Sequence, residues 1–278
     1  MEDDLQDRTI VITGGSSGVG AAAARIFAGE GARVVVTGRS DETDRVAQEV
    51  GADPYRVDFN SLSEVDAFAD ALLDRYPEIH VLVNNAGAII GERQVTPDGN
   101  ELTLQVNHLA GFHLTNRLRP RLEASTGVVI NTSSATNTRG RIDFDDLQSE
   151  EDYSGLNVYA TSKLMNILHA REVNRRFDGV HAVSFHPGAV ATGVARDAGG
   201  VIGWLYESFL GRLLMISPEK GADTLVWLVR GTPGEDWTPG GYYAKRKPAR
   251  TASQVDGEVA QRLWEASEEL IAQSMDEG

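Results

Sequence analysis

The chain has 278 residues, 41% of them hydrophobic, and it has no cysteine, which excludes disulfides, thiolate nucleophiles and thiolate metal sites. Its formal net charge is −15 and only four of its 26 basic residues are lysines, which argues against binding to a nucleic-acid backbone. The acidic start, MEDDLQDRT, differs from a signal peptide, and no apolar run reaches the roughly 18 residues that span a bilayer. We therefore expect a cytoplasmic protein with no membrane span, whose acidic surface fits either salt adaptation or an ordinary acidic protein.

Apolar runs alternate with helical patterns along the chain. Seven strands are predicted, at Thr9–Thr13, Arg33–Thr37, Tyr55–Phe59, His80–Val83, Val128–Asn131, Val180–Phe185 and Tyr242–Ala244. Helices are predicted at 21–31, Asp41–Val50, Leu62–Tyr76, Glu101–Leu122, Tyr159–Phe177 and Val255–Ile271. This alternation is typical of right-handed crossovers and of a parallel sheet covered on both faces. No linker or repeat divides the chain, so we predict a single α/β domain over residues 1–278.

The first predicted strand runs into a glycine-rich turn, TGGSSGVG, with glycines at positions 14, 18 and 20. Glycine permits a tight turn and a close approach of phosphate to the backbone, and free N–H groups at the following helix start bind anions. The position of the turn in a βαβ unit favours a dinucleotide ligand. The alternative is a strand–helix turn that binds nothing.

The second strand is followed by Gly38 and Arg39. A carboxylate here would bind the adenosine ribose hydroxyls of NAD, whereas the Arg39 guanidinium could hold the 2′-phosphate of NADP. We therefore expect NADP(H) to be preferred, with NAD(H) possible, and the double change Gly38→Asp with Arg39→Val to move the preference toward NAD(H). An ordinary surface arginine is the alternative.

Polar and small residues follow three later strands. They are the Asn84–Gly87 turn, the Ser133–Ser134 pair and the His186–Gly188 turn. Ligands of open α/β sheets bind at the carboxyl ends of the strands, where all three segments would meet. Their convergence indicates a binding site at this edge.

Tyr159 precedes Lys163 by four residues on a predicted helix. Side chains at this spacing are neighbours, and an adjacent ammonium favours the ionised form of a tyrosine. The pair is either a proton-transfer device or two unrelated residues on one helix face. The six histidines have no metal-ligand spacing, so no metal site is expected.

Together these segments resemble the short-chain dehydrogenase/reductase family. The resemblance lies in TGGSSGVG, NNAG, the Asn107 segment QVNHLAGFHLT, NTSS, YATSK and HPGAVAT, in that order, between Thr9 and about Thr192. The longer interval between Ser134 and Tyr159 and the C-terminal GGYYAKRKPARTASQ segment are similar to the retinol dehydrogenase and WW-domain oxidoreductase branch.

The resemblance implies a Rossmann-type fold and an NADP(H)-dependent oxidoreductase that interconverts a carbonyl and an alcohol. Tyr159 would be the general acid or base, and Lys163 would lower its pKa and bind the nicotinamide ribose. Ser134 would hydrogen-bond the substrate oxygen, and Asn107 would hold a water that links Lys163 to solvent. The cofactor contacts implied by the family are Gly14, Ser16, Ser17, Gly18, Val19, Gly20, Arg39, Asp58, Phe59, Asn85, Ala86, Gly87, Tyr159, Lys163, Pro187, Gly188, Val190 and Thr192.

Residues 193–216 fall where the family places its substrate lid. The apolar residues of VIGWLYESFLGRLLMI predict an apolar carbonyl or alcohol substrate, although a packed helix, an oligomer contact or a membrane-surface helix would have the same pattern. Two other functions stay open: reduction of a carbon–carbon double bond, and a non-catalytic NADP-binding regulatory role. The sequence leaves open whether the protein is a monomer or a homo-oligomer.

Overall fold

The computed structural model describes residues 5–189 and 216–276. Within these ranges one sheet has eight strands, β1 Thr9–Ile12, β2 Arg33–Gly38, β3 Asp53–Arg56, β4 Val81–Asn84, β5 Val128–Thr132, β6 His181–Phe185, β7 Tyr242–Ala244 and β8 Lys247–Pro248. The strand order is β3-β2-β1-β4-β5-β6-β7-β8, and β8 alone runs antiparallel to its neighbour. The predicted α/β class is confirmed, and the two-residue β8 is added to the seven expected strands.

Helices cover both faces of the sheet. In the described ranges they are α1 Gly18–Gly29, α2 Glu42–Val50, α3 Leu62–Arg75, α4 Leu102–Leu104, α5 Ala110–Arg117, α6 Arg119–Ala124, α7 Gly155–Arg176, α8 Pro218–Arg230 and α9 Gly257–Asp276. The sequence analysis missed α8.

The helical region predicted from about Glu101 to Leu122 is confirmed, although it is not one regular helix, because three short helices and a π-helical turn, Gln105–Leu109, occupy this stretch. Pro120 stands in the first turn of α6, where its missing N–H costs no helical hydrogen bond. The π turn matters for the candidate site, because it contains Asn107, a predicted catalytic residue.

Strand β3 begins earlier than predicted, at Asp53 instead of Tyr55, because it pairs with Val35–Gly38 of β2. It is an edge strand, and so it tolerates Pro54, which has no N–H to donate. Phe59, predicted to end the strand, lies beyond it and is buried in the hydrophobic core.

Alternate side chains of each central strand enter two separate cores, as a pleated sheet requires. On β1, Val11 packs in the core beneath α3, α5, α7 and α9, whereas Ile10 and Ile12 pack in the core beneath α1 and α8. Both faces of the sheet are therefore apolar, and the polar residues of a binding site are expected at the ends of the strands.

The stretch predicted to be a lid, residues 193–216, lies outside the described residues except for Ile216. Its flanks meet, because the N–H of Ile216 donates to the Ala189 carbonyl at 2.9 Å. No helix in residues 5–189 and 216–276 is long and apolar enough to cross a membrane. The same residues contain no group of three side chains suited to hold a metal ion.

Candidate active site

The loops after β1 and β4 are joined through Thr13, a residue that the sequence analysis did not single out. Its hydroxyl accepts the N–H groups of Asn85 and Ala86 at 2.9 and 3.0 Å and donates to the Val83 carbonyl. The Asn85 amide donates back to the Thr13 and Gly14 carbonyls at 3.0 and 3.2 Å. The predicted glycine turn and the predicted NNAG turn therefore form one rigid unit at the carboxyl edge of the sheet.

The glycine turn leads into α1 with its backbone exposed to an anion. Gly14 and Gly18 adopt the left-handed region, with φ of 63° and 54°. Ser17 precedes α1 without capping it through its side chain, and the first turn of the helix has no acidic residue. The positive end of the helix dipole is therefore not neutralised by a carboxylate in that turn, and the turn suits a phosphate group.

Gly38 at the end of β2 leaves room for two hydroxyl groups. A Cβ built on Gly38 would lie 2.5 Å from both the Ser16 and the Thr43 hydroxyl oxygens. The Thr43 hydroxyl is buried and has no hydrogen-bond partner among the described residues. Two hydroxyls thus meet at Gly38, which the exposed Arg39 follows in the chain, at the place where the ribose of a dinucleotide is expected, and a buried hydroxyl without a partner fits a polar ligand.

Arg39 differs from the other arginines near this edge. Arg25, Arg45 and Arg56 are each paired with carboxylates, namely Glu49, Glu42, and Asp41 with Asp44. No ion pair of Arg39 occurs within the described part of the chain. Its charge is thus available to an anionic ligand.

Tyr159 and Lys163 lie on the first turns of α7, and the Lys163 Nζ is 5.5 Å from the centroid of the Tyr159 ring. Tyr159 is half-buried, and Lys163 is buried, with Nζ donating to the Thr132 carbonyl at 3.4 Å. Burial lowers the pKa of Lys163 to about 8, because the charged ammonium loses its hydration. At neutral pH the lysine remains mostly protonated beside the tyrosine.

Asn107 in the π turn is held at both ends of its amide. Its Oδ1 accepts the Ala88 N–H at 2.7 Å, and its Nδ2 donates to the Ala88 carbonyl and to the Ser162 hydroxyl. Its Oδ1 and the Lys163 Nζ each lie 3.0 Å from the position of a Cβ on Gly87, so a side chain there would crowd both. The predicted water link through Asn107 stays a prediction.

The two serines after β5 have different surroundings. Ser133 is buried, and its hydroxyl donates to the Lys163 carbonyl at 2.7 Å. The Ser134 hydroxyl is half-buried and accepts the Thr136 N–H at 3.3 Å, at the start of the short 3₁₀ helix Ala135–Arg139. A hydroxyl that accepts retains its own hydrogen for donation, so Ser134 is the member of the pair suited to donate to a ligand.

The remaining predicted cofactor contacts differ in burial and position. Asp58 is half-buried and accepts the Asn60 N–H, whereas the Phe59 side chain is buried in the core, so a contact from Phe59 would need its backbone. Pro187 and Gly188 lie after β6 at the same sheet edge, and the Gly188 N–H donates to Nδ1 of His186. The predicted contacts Val190 and Thr192 lie outside the described residues.

The strand order, the glycine turn and the convergence of loops at the carboxyl edge define a Rossmann-type nucleotide-binding protein. A family model described as short chain dehydrogenase matches residues 8–199. The chain therefore belongs to the short-chain dehydrogenase/reductase family of oxidoreductases.

Similar proteins are found among both characterised sequences and solved structures. The chain is 45% identical to the "Putative daunorubicin C-13 ketoreductase DnrU" of Streptomyces sp. (strain C5), over 95% of this chain and 92% of that protein. It is 32% identical to human retinol dehydrogenase 11, over 98% and 88% of the two chains.

Two solved structures extend the comparison. An uncharacterised protein from Mycobacterium paratuberculosis has a TM-score of 0.77 and 30% identity, covering 98% of this chain and 97% of its own. A metagenomic short-chain oxidoreductase in complex with NADP has a TM-score of 0.59 and 25% identity, covering 82% of this chain and 93% of its own.

Proposed function

We propose that the protein interconverts an aldehyde or ketone and the corresponding alcohol with NADP(H), using Tyr159 as the general acid or base. The observation that carries this proposal is the placement of Lys163, buried beside the Tyr159 ring, at the sheet edge that also holds the glycine turn and Ser134. One relative is named for a ketone substrate and another for an alcohol, which supports this reaction class.

The side chains divide the proton chemistry between them. The Lys163 ammonium favours the ionised form of Tyr159, which then removes the hydroxyl proton of an alcohol, and in the reverse direction the neutral phenol protonates a carbonyl oxygen. Ser134 donates its hydrogen to the same substrate oxygen and stabilises the negative charge that develops there. Asn107 connects the loop after β4 to Ser162, whose hydroxyl donates to the Tyr159 carbonyl, and so it orients the start of α7.

The cofactor supplies or accepts the hydride when it is bound. The glycine turn and the α1 N-terminus would hold its phosphates, and Ser16, Thr43 and Arg39 would surround the adenosine ribose. Asn85, Ala86, Gly87, Pro187 and Gly188 would lie along its nicotinamide half, as the family resemblance implies.

Arg39→Ala is expected to weaken NADPH binding by roughly tenfold to a hundredfold, because a hydrogen bond to a charged group contributes about 1–3 kcal/mol. The dissociation constant for NADH should change little, since NADH has no 2′-phosphate. Titration of nicotinamide fluorescence with both cofactors at moderate salt measures both constants.

Arg33→Ala is the matched control. Arg33 is also exposed but lies at the opposite end of β2, so it reports the loss of one positive charge without the local contact. Equal effects of the two variants on NADPH binding would contradict a 2′-phosphate contact at Arg39.

An aspartate at position 38 is unsuitable as a test of the shift in preference toward NAD(H), because its Cβ would collide with the Ser16 and Thr43 hydroxyls. Arg39→Asp is therefore the variant for this test.

We further propose an apolar substrate, with residues 1–278 forming one domain in which residues 193–216 cover the bound substrate. The test is turnover of NADPH and NADH with apolar aldehydes and ketones, and of the oxidised cofactors with secondary alcohols. Turnover of an enone at its carbon–carbon double bond alone would instead support a double-bond reductase. Cofactor binding with no turnover across a broad panel would favour a regulatory NADP-binding protein.

A further inference from the structure

Two segments at the carboxyl edge of the sheet are basic in an otherwise acidic chain. The chain has 41 acidic and 26 basic residues, yet residues 133–142 and 244–254 contain no acidic residue. Their basic residues, here called the basic patch, are Arg139, Arg141, Lys245, Arg246, Lys247 and Arg250. All six are exposed. The charge of these segments is thus opposite to that of the whole protein, which is −15.

Hydrogen bonds through Asn137 attach the second segment to the candidate active site. The Asn137 Nδ2 donates to the Ser134 carbonyl at 2.8 Å and to the Arg250 carbonyl at 3.4 Å. Its Oδ1 accepts the Ala252 N–H at 3.1 Å. One side chain therefore links the backbone of Arg250 to the backbone of Ser134.

Arg141 is attached to α7 on the other side of the site. Its N–H donates to the Thr161 hydroxyl at 3.2 Å, and the same hydroxyl donates to the Arg141 carbonyl at 3.1 Å. Thr161 stands two residues after Tyr159. Gly140 approaches the same helix so closely that a Cβ on it would lie 2.6 Å from the Ala160 carbonyl oxygen. The backbone of Arg141 is therefore fixed beside the start of α7.

The hairpin of β7 and β8 adds the remaining charges at the same sheet edge. The His186 N–H donates to the Tyr243 carbonyl at 2.9 Å, so the hairpin turn lies beside the loop after β6. Lys245 and Arg246 form this turn, with positive φ of 51° and 58°. Such turns favour asparagine and glycine, so the basic side chains occupy positions that their backbone disfavours, as is found at functional sites.

Five of the six charges are not engaged in ion pairs. Arg246 pairs with Asp223 on α8, whereas the other five pair with no carboxylate among residues 5–189 and 216–276. The phosphates of a dinucleotide would bind after β1, which three strands separate from β7. The basic patch therefore adjoins the proposed substrate residues Ser134 and Tyr159, and it lies away from the phosphate-binding turn.

We propose that the basic patch binds an anionic group, a carboxylate or a phosphate, on the substrate whose carbonyl or hydroxyl reacts at Tyr159. This inference rests on the proposed function and narrows its substrate class to an apolar body with a negative charge away from the reacting carbon. A small anion fits better than an acidic macromolecule. A macromolecule would also face the acidic remainder of the surface, whereas a small anion meets mainly the local charge, because interactions beyond about 8–10 Å are screened at physiological salt.

The test compares ketones that differ in charge. Keto acids of increasing chain length are assayed with NADPH at pH 7, where they are ionised, beside their methyl esters. A second series pairs phosphorylated hydroxyketones with the free hydroxyketones, which distinguishes a phosphate from a carboxylate. We expect the wild type to have a higher kcat/KM for the charged member of at least one pair. Rising salt should reduce this preference.

Arg250→Glu and Arg141→Glu should each lower the preference for the charged member by roughly threefold to tenfold, because an attraction is replaced by a repulsion. Both changes leave the backbone hydrogen bonds in place. Arg33→Glu is the matched control, since it makes the same change of charge at the amino end of β2. It should leave the preference unchanged.

Three results would overturn the inference: no preference for the charged member of any pair, an equal loss of preference in Arg33→Glu, or an equal fall for charged and neutral members. If a variant does not fold, the salt series of the wild type decides, and a preference that salt leaves unchanged overturns the inference. If no ketone is turned over, charged or neutral, the proposed function fails. If neutral ketones are turned over without any preference for charge, only the present inference fails.

Discussion

Tyr159→Phe is expected to reduce turnover by at least the roughly 10²–10⁴-fold typical of a general acid–base group. The substitution removes the phenolic oxygen that exchanges the proton and leaves the ring beside Lys163. Binding of NADPH should stay nearly intact, because Lys163 and the residues proposed to hold the phosphates and the adenosine ribose are unchanged. Steady-state kinetics with the best substrate of the panel, together with fluorescence titration of the cofactor, measures both properties.

Tyr153→Phe is the matched control for this variant. The Tyr153 hydroxyl contacts the Ile90 carbonyl and a Glu101 carboxylate oxygen, each at 3.2 Å, and burial raises its pKa to about 12. These contacts hold the segment before α7, so their loss should lower the melting temperature more than the turnover. Near-normal turnover by Tyr159→Phe would show that the proton is transferred by another group.

Lys163→Met is expected to make the protein more stable and much less active. At pH 7 the wild-type fold buries a protonated ammonium whose pKa is held at about 8 against an ordinary 10.5, and its one hydrogen bond within the described residues is donated to the Thr132 carbonyl. Methionine keeps the length of the side chain without the charge. We expect a gain of about 1–3 kcal/mol in the free energy of unfolding, as pKa shifts convert to stability. Turnover and cofactor affinity should both fall.

The pH dependence of stability identifies the same group. Because the folded pKa of Lys163 is below the unfolded value, the unfolded chain binds more protons between about pH 8 and 10.5. The free energy of unfolding of the wild type should therefore rise relative to that of Lys163→Met as the pH increases through this window, and the difference between them should be constant at lower pH. Denaturant unfolding of both proteins at several pH values measures this difference.

Lys220→Met provides the control for the lysine experiment. Lys220 is exposed at the start of α8, so its replacement should alter neither turnover nor the pH dependence of unfolding between pH 8 and 10.5. If Lys163→Met unfolds more easily than wild type at pH 7, the Lys163 ammonium is better solvated than its burial indicates. A loss of activity in Lys163→Met without any change in cofactor affinity would count against a contact between Lys163 and the nicotinamide ribose.

Several features of this protein are local in the sequence and could be predicted from it. Apolar runs identified β1, β2, β4, β5 and β6, because strands buried on both faces need apolar residues at every position. The glycine turn and the Tyr159–Lys163 spacing are equally local, since one depends on allowed backbone angles and the other on the helical repeat. The sheet edge on which the predicted residues meet follows from the parallel order of the strands.

Other features depend on partners that are distant in the chain. The π turn at Asn107 carries no strong local signal, and the start of β3 depends on its register with β2. Helix α8 did have a local signal, Ser217 as its N-cap followed by Pro218, which the sequence analysis overlooked. Gly38 has no side chain and so leaves space for the Ser16 and Thr43 hydroxyls, and the sequence does not reveal this close approach. The family resemblance already assigned the substrate oxygen to Ser134, and the folded chain adds the physical difference, because the Ser133 hydroxyl bonds to α7 whereas Ser134 stands at the 3₁₀ helix.

Tyr242 shows the same limit most clearly. In the sequence it is one of two adjacent tyrosines in a short strand, and either could face the site. The register of β7 on β6 sends the Tyr243 ring into the core beneath α1 and α8 and leaves Tyr242 buried on the opposite face. Local residue chemistry thus determined the fold class and the Tyr159–Lys163 pair. Tertiary packing decided which hydroxyls are bonded, buried or free, because hydrogen bonds and burial depend on residues brought together from distant parts of the chain.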